Sequence, residues 1–268
     1  MTSDTLWMGL LQGLTEFLPV SSSGHLALAR VFLGVEEPSL AFDLTLHMAT
    51  LCAVFLYFAG DIAVLLKEWV CGFRDRDART RRGWAFGWAV IAGTLITGPL
   101  GILLKSFAEA ASANLLWLGG NFLVTALLLL SSRRLRVGAR DLTIRDGCWV
   151  GLVQGLAVFP GISRSGSTIW AALIAGVSRE EAFRFSFLLS VPAILGATLY
   201  EAGDLGGVGE FCLALPKGWF GGAVLAFASG LLSLALLRKL VTSDKWWFFS
   251  LYCALLGGGA LSLAFVGR

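Results

Sequence analysis

Two stretches of this chain repeat one another, and each interrupts an apolar run with a turn that hydrocarbon would reject. Gly9-Leu10-Leu11-Gln12-Gly13-Leu14 is echoed by Gly151-Leu152-Val153-Gln154-Gly155-Leu156 at an offset of 142 residues. The same offset lays Phe17, Ser21, Ser23 and Gly24 on Phe159, Ser163, Ser165 and Gly166. Proline ends a helix, and the Ser/Gly turn that follows exposes backbone N–H and C=O groups. Such a turn survives at membrane depth only where protein covers it or water reaches it. Each broken piece, about 4–34 and 143–177, therefore reads as a re-entrant helical hairpin.

The rest of the chain is lipid-soluble by composition. Of its 268 residues 56% are hydrophobic and 15% charged, and the mean hydropathy is +0.76, which excludes an ordinary soluble domain. Apolar segments at 39–58, 84–104, 115–132, 181–200, 217–237 and 246–266 are each near the ~20 residues a bilayer core demands. The expectation is an all-α polytopic membrane protein forming a single integral membrane domain over 1–268. Repeat one covers about 1–132 and repeat two about 143–268, each a hairpin followed by three transmembrane helices. An odd number of crossings inverts the second half. Inverted-topology repeats of this kind build their site where the broken elements meet near the midplane.

Basic residues set the orientation. Lys67, Arg74, Arg76, Arg79, Arg81 and Arg82 follow the first span, Arg133, Arg134, Arg136 and Arg140 the third, and Arg238, Lys239 and Lys245 the fifth. Loops after the second and fourth spans carry little positive charge, and the latter is acidic, with Glu201, Asp204 and Glu210. The basic loops are expected in the cytoplasm. Both termini then lie outside, the first hairpin enters from outside and the second from the cytoplasm. The N-terminus lacks a basic n-region and carries Gln12 and Glu16, so it reads as part of the mature fold rather than a signal peptide.

A net charge of +3 is too small to argue for nucleic acid, and no nucleic-acid partner is expected. Cys52, Cys71, Cys148, Cys212 and Cys253 show no C-x-x-C spacing and read as core or lipid-facing residues. Trp7, Trp69, Trp84, Trp149, Trp219, Trp246 and Trp247 near segment ends form an aromatic belt. Gly9/Gly13 and Gly147/Gly151/Gly155, spaced i, i+4, make smooth helix faces for close packing.

Chemistry concentrates in the hairpins. Gln12 and Glu16 share one helix face, Pro19 stops that helix, and a new helix is expected at Gly24 with His25 in its first turn, a place to hold an anion. The copies differ where charge is concerned: Glu16, Ser22 and His25 correspond to Val158, Arg164 and Ser167. One hairpin brings acid, imidazole and metal ligand, and the other a guanidinium before a helix expected at about Ser167. Guanidinium and helix N–H groups together receive phosphate or pyrophosphate. Blander readings stand beside these: a snorkelling Arg164, a core His25, and Gln12 and Gln154 as interhelical glue. Asp43, His47 and Arg184 read as a structural pair or supporting residues, and Ser190 and Pro192 as shaping the cavity. Glu16 is hardest to explain structurally, because a lone carboxylate at membrane depth is costly.

Gln12-x-x-x-Glu16 running into Phe17-Leu18-Pro19-Val20-Ser21-Ser22-Ser23-Gly24-His25, with Pro160-Gly161-Ile162-Ser163-Arg164-Ser165-Gly166, resembles the undecaprenyl-pyrophosphate phosphatase family of the bacitracin-resistance type. Length and hydropathy agree over essentially the whole chain. Gln12 stands where many members have Glu, which leaves Glu16 the one acid of that motif. The resemblance implies hydrolysis of undecaprenyl diphosphate to the monophosphate at the outer face of the bacterial cytoplasmic membrane. That recycles the lipid carrier for peptidoglycan synthesis and confers bacitracin resistance. A divalent metal, Mg2+ or Ca2+, is implied. On this basis Glu16 with Gln12 holds the metal on a polyprenyl diphosphate, and Arg164 neutralises it. Ser21, Ser23, Ser163, Ser165 and Gln154 line the substrate. Ser22 activated by His25, or a water held by the same pair, attacks phosphorus. A transporter or flippase of polyprenyl phosphate on the same repeat, and a non-enzymatic lipid-binding protein, are the alternatives. The sequence leaves room for a homodimer.

Overall fold

The computed structural model describes residues 2–33, 39–135, 138–203 and 207–266. Arg136, Asp204 and the last residue of the first broken piece, residue 34, lie outside the described residues. The described residues are mostly helical: α1 (Thr2–Phe17), α2 (Ser22–Leu33), α3 (Leu40–Tyr57), α4 (Ala59–Arg74), α5 (Arg82–Ser112), α6 (Leu115–Ser131), α7 (Ile144–Leu156), α8 (Arg164–Ile174), α9 (Arg179–Ala202), α10 (Val208–Leu213), α11 (Trp219–Thr242) and α12 (Phe249–Val266). Six stretches among the described residues are long and apolar enough to cross a bilayer, namely α3, α5, α6, α9, α11 and the stretch 246–265 that includes α12. They coincide with the six expected spans. The protein is an all-α, multi-pass membrane protein.

Both broken pieces are helix–turn–helix hairpins, α1–α2 and α7–α8. Their second helices start earlier than the sequence suggested, at Ser22 instead of Gly24 and at Arg164 instead of about Ser167. The reason is capping. Ser21 Oγ accepts from Gly24 N (3.3 Å) and Ser163 Oγ from Gly166 N (3.1 Å), so the serine before each helix satisfies an N–H of its open first turn. A second departure is α4, where a loop was expected after the first span. Its sequence AGDIAVLLKEWVCGFR is amphipathic, so hydropathy alone does not reveal it.

Each hairpin seats on the other half of the chain: α1 packs along α11, and α7 along α5, while α6 pairs with α12 and α3 with α9 and α11. Glycine allows the approach. A Cβ at Gly9 would lie 2.1 Å from Gly222 O, and one at Gly13 2.3 Å from Ala226 O. On the other side Gly147 faces Ala89 O at 2.3 Å and Gly151 faces Gly93 O at 2.4 Å. Backbones that close gain dispersion contacts that lipid tails cannot match. Beneath the hairpin tips Phe17, Phe58, Phe183 and Phe187 form a buried aromatic cluster, with Phe17 edge-on to Phe187 at 5.6 Å. At the basic end of the bundle, Arg184 joins α9 to Asp61 of α4 (2.5 Å). Arg82 meets Glu181 there, and Arg238 meets Glu180 (2.6 Å).

A candidate active site where two hairpins meet

The tips of the hairpins touch. Ser21 Oγ accepts the N–H of Gly161 (3.0 Å), Ser165 Oγ donates to Leu18 O (3.4 Å), and a Cβ at Gly24 would lie 2.8 Å from Gly161 N. Two residues of α6 hold the second turn in place. Asn121 Nδ2 donates to Pro160 O (2.8 Å), while Thr125 Oγ1 donates to Gly161 O (2.8 Å) and accepts from Ser163 N (3.0 Å). Turn carbonyls and amides that would be orphaned in hydrocarbon are thereby satisfied by protein, as a buried non-helical backbone requires.

At that junction sits Glu16, with its side chain 7% exposed. Its Oε1 receives Arg164 Nη2 at 2.5 Å, and its Oε2 receives Ser22 Oγ at 2.7 Å and Gln12 Nε2 at 3.1 Å. Ser22 and Arg164 are the first residues of α2 and α8, so the first residue of each helix sends its side chain to the same carboxylate. Burial of a carboxylate is offset here by a guanidinium and two further donors, a charge-assisted set stronger than neutral hydrogen bonds.

Ser22 is half-buried and Ser23 exposed, whereas the Ser163 and Ser165 hydroxyls are buried and hydrogen-bonded to one another at 3.2 Å. Ser21 takes φ = +66°, a left-handed conformation rare outside glycine. Gln154 belongs to the α5 interface, where its amide donates to Thr97 Oγ1 (3.3 Å) while Thr97 donates to Gly151 O (2.8 Å). Gln154 Oε1 is buried with no hydrogen-bond partner, as Gln12 Oε1 is.

His25 does not hold Ser22. Its Nδ1 is 2.8 Å from Ser21 O and its Nε2 2.7 Å from Tyr252 Oη, while the Ser22 hydroxyl is given to Glu16. The imidazole facing the carboxylate is that of His47, whose Nε2 lies 3.9 Å from Glu16 Oε2 and whose Nδ1 lies 3.0 Å from Asp43 O and 3.6 Å from an Asp43 carboxylate oxygen. Sequence reasoning saw Asp43 and His47 only as a possible pair on one helix face, and it gave no sign of Tyr252, Asn121 or Thr125.

A divalent ion fits the donor set. Among the described residues no group of three or more His, Cys, Asp and Glu forms a cage. Hard cations that act on phosphates, however, are commonly held by one or two carboxylates plus phosphate oxygens. Gln12 Oε1 is buried beside Glu16 with no hydrogen-bond partner, and so is Arg164 Nη1, which leaves one open acceptor for a cation and one open donor for an anion. Unsatisfied buried polar atoms are costly and call for a partner.

The chain is similar to known proteins along nearly its whole length. The family model described as bacitracin resistance protein BacA matches residues 5–259. A protein of Syntrophotalea carbinolica named undecaprenyl-diphosphatase is 42% identical over 262 residues, 94% of each chain. Proteins of the same name from Methanosphaera stadtmanae and Treponema denticola are each 40% identical, the first over 93% of both chains, the second over 97% of this chain and 96% of its own.

Proposed function

The chain belongs to the bacitracin resistance protein BacA family, and from that premise we propose that it is a membrane phosphatase that hydrolyses undecaprenyl diphosphate to undecaprenyl phosphate and inorganic phosphate. Such an enzyme returns the lipid carrier to cell-wall synthesis and supports bacitracin resistance. The observation that carries the reading is the single carboxylate of Glu16, shared by Arg164 of one hairpin and Ser22 and Gln12 of the other. A lipid diphosphate cannot leave the bilayer, so its headgroup must be met by charge at membrane depth.

The mechanism follows from these contacts. On binding, the guanidinium of Arg164 exchanges the Glu16 carboxylate for the diphosphate, its unpartnered Nη1 supplying a further donor. The N–H groups at the starts of α2 and α8 take the remaining phosphate oxygens. Ser22 Oγ attacks the terminal phosphorus and forms an Oγ–P bond as the bridging P–O bond to undecaprenyl phosphate breaks. Its proton passes to Glu16 Oε2, with which it already shares a 2.7 Å hydrogen bond. Water then attacks the phosphoserine phosphorus as the Oγ–P bond breaks, its protons going to Ser22 Oγ and to the released phosphate, and the proton left on Glu16 passes to solvent. A water held by Ser22 and Glu16 is the other candidate nucleophile. Glu16 and Gln12 are the residues that would hold a Mg2+ or Ca2+ ion, which would supply charge neutralisation when bound. Alignment and charge stabilisation carry most of the acceleration in such transfers.

The basic end carrying Arg82, Arg179 and Arg238 is assigned to the cytoplasm, which places both termini and the opening of the site on the outer side of the inner membrane. The two halves are assigned opposite orientations, a reading supported by the reciprocal seating of α1 on α11 and α7 on α5. Phosphate release from a polyprenyl diphosphate by the purified chain in detergent, with and without chelator, tests the proposal. Chelator-sensitive release is expected, and a chain that binds the lipid without releasing phosphate refutes it.

A further inference from the structure

The phosphatase reading gives Ser22, Glu16 and Arg164 their work but leaves the buried imidazole of His25 without a partner in the chemistry. Its surroundings define another task. Nδ1 lies 2.8 Å from Ser21 O, an acceptor, so Nδ1 carries the proton. Nε2 is then the lone-pair nitrogen and accepts the hydroxyl of Tyr252 at 2.7 Å. The Tyr252 ring lies nearly parallel to the imidazole (8°, centroids 5.6 Å apart), and Phe122 closes the remaining side edge-on at 5.7 Å. Both ring nitrogens are engaged.

What the imidazole holds is the strained residue of the site. Ser21 O accepts the backbone N–H of His25 (3.2 Å) as well as its Nδ1, and Ser21 carries the left-handed φ of +66°. A serine in that conformation is strained and persists only where its surroundings hold it. From that conformation its hydroxyl reaches Gly161 N of the other hairpin, and its next neighbour, Ser22, points at Glu16. The chain of contacts runs Tyr252, His25, Ser21, then Gly161 and Ser22.

We propose that His25 is a positioning residue, and that Tyr252 on α12 completes it: the pair forms a brace that locks Ser21 in its left-handed turn and so aims Ser22 at the Glu16 carboxylate. In this account the brace needs a donor at the Nδ1 position and transfers no proton to substrate. The inference rests on the phosphatase reading above.

Asparagine tests it, because its side-chain N–H can stand where Nδ1–H stands while carrying no titratable proton. Phosphate release from a polyprenyl diphosphate is measured for the purified parent, His25→Asn, His25→Ala and Tyr252→Phe. An inactive parent would refute the phosphatase reading itself; with an active parent the variants address the brace alone. Tyr252→Phe keeps the ring and loses one hydrogen bond, and should lower kcat about fivefold with KM unchanged. His25→Asn should stay within about tenfold of the parent, and His25→Ala should fall at least about a hundredfold in kcat. A folded, monodisperse His25→Asn as inactive as His25→Ala would overturn the proposal in favour of proton transfer. If His25→Asn is not recovered folded, Tyr252→Phe decides, and a parent-like kcat overturns the brace.

Discussion

The carboxylate of Glu16 and the guanidinium of Arg164, 148 residues apart in sequence, meet at 2.5 Å where the first hairpin touches the second. In the proposed mechanism the diphosphate takes the place of the Glu16 carboxylate on the Arg164 guanidinium. The ion pair keeps two buried charges compensated, at far lower cost than leaving either one unpaired, and in the proposed mechanism substrate binding separates them.

Ser22 is the nucleophile in this account, so a phosphorylated enzyme should form. Ser22→Ala is expected to lose about a thousandfold in turnover. Acid-quenching the parent during turnover and mapping the phosphopeptide should place the label on Ser22. Substantial turnover by Ser22→Ala, with no label in the parent, points to water instead.

Gln12 contributes one neutral oxygen where a carboxylate would contribute a charged one. Gln12→Glu should therefore lower the Mg2+ or Ca2+ concentration that gives half-maximal phosphate release, by about tenfold, since carboxylates bind hard cations more tightly than amides do. Chelation should abolish release by both forms. A metal titration unchanged by the substitution would remove Gln12 from the metal site.

The junction of the tips should also be a stability determinant. Gly161 has φ = +94°, and a Cβ there would lie 2.8 Å from both Asn121 Cβ and Leu118 O. Gly161→Ala should destabilise the detergent-solubilised protein by about 1–3 kcal/mol, read as a fall in its thermal unfolding midpoint. Gly98 in α5 has nothing within 4 Å of its virtual Cβ, and Gly98→Ala should be neutral or slightly stabilising.

The hairpins and their polar tips were legible in the sequence because the duplication exposes them and because Pro and Ser/Gly turns have no place in bare hydrocarbon. The divergence of Glu16 and Arg164 between copies pointed to a division of labour between the two hairpins. Other features were not readable for physical reasons. Ser21 caps α2 from a left-handed conformation, which local propensity assigns to glycine, so the helix start was placed two residues late. The amphipathic α4 carries too many charges for a hydropathy window. His25 and Tyr252 are 227 residues apart, and nothing local in either segment encodes their contact. His47 comes to face Glu16 only through the packing of α3 on α1.

A double-mutant cycle on kcat/KM, built from Glu16→Gln and Arg164→Lys, tests most directly whether the two hairpins make one site. Each single substitution should cost about a hundred- to a thousandfold. Residues of one catalytic unit are strongly non-additive, so the double variant should be about as slow as the worse single one. Losses that multiply, or a near-parent rate for either single variant, would contradict a shared site.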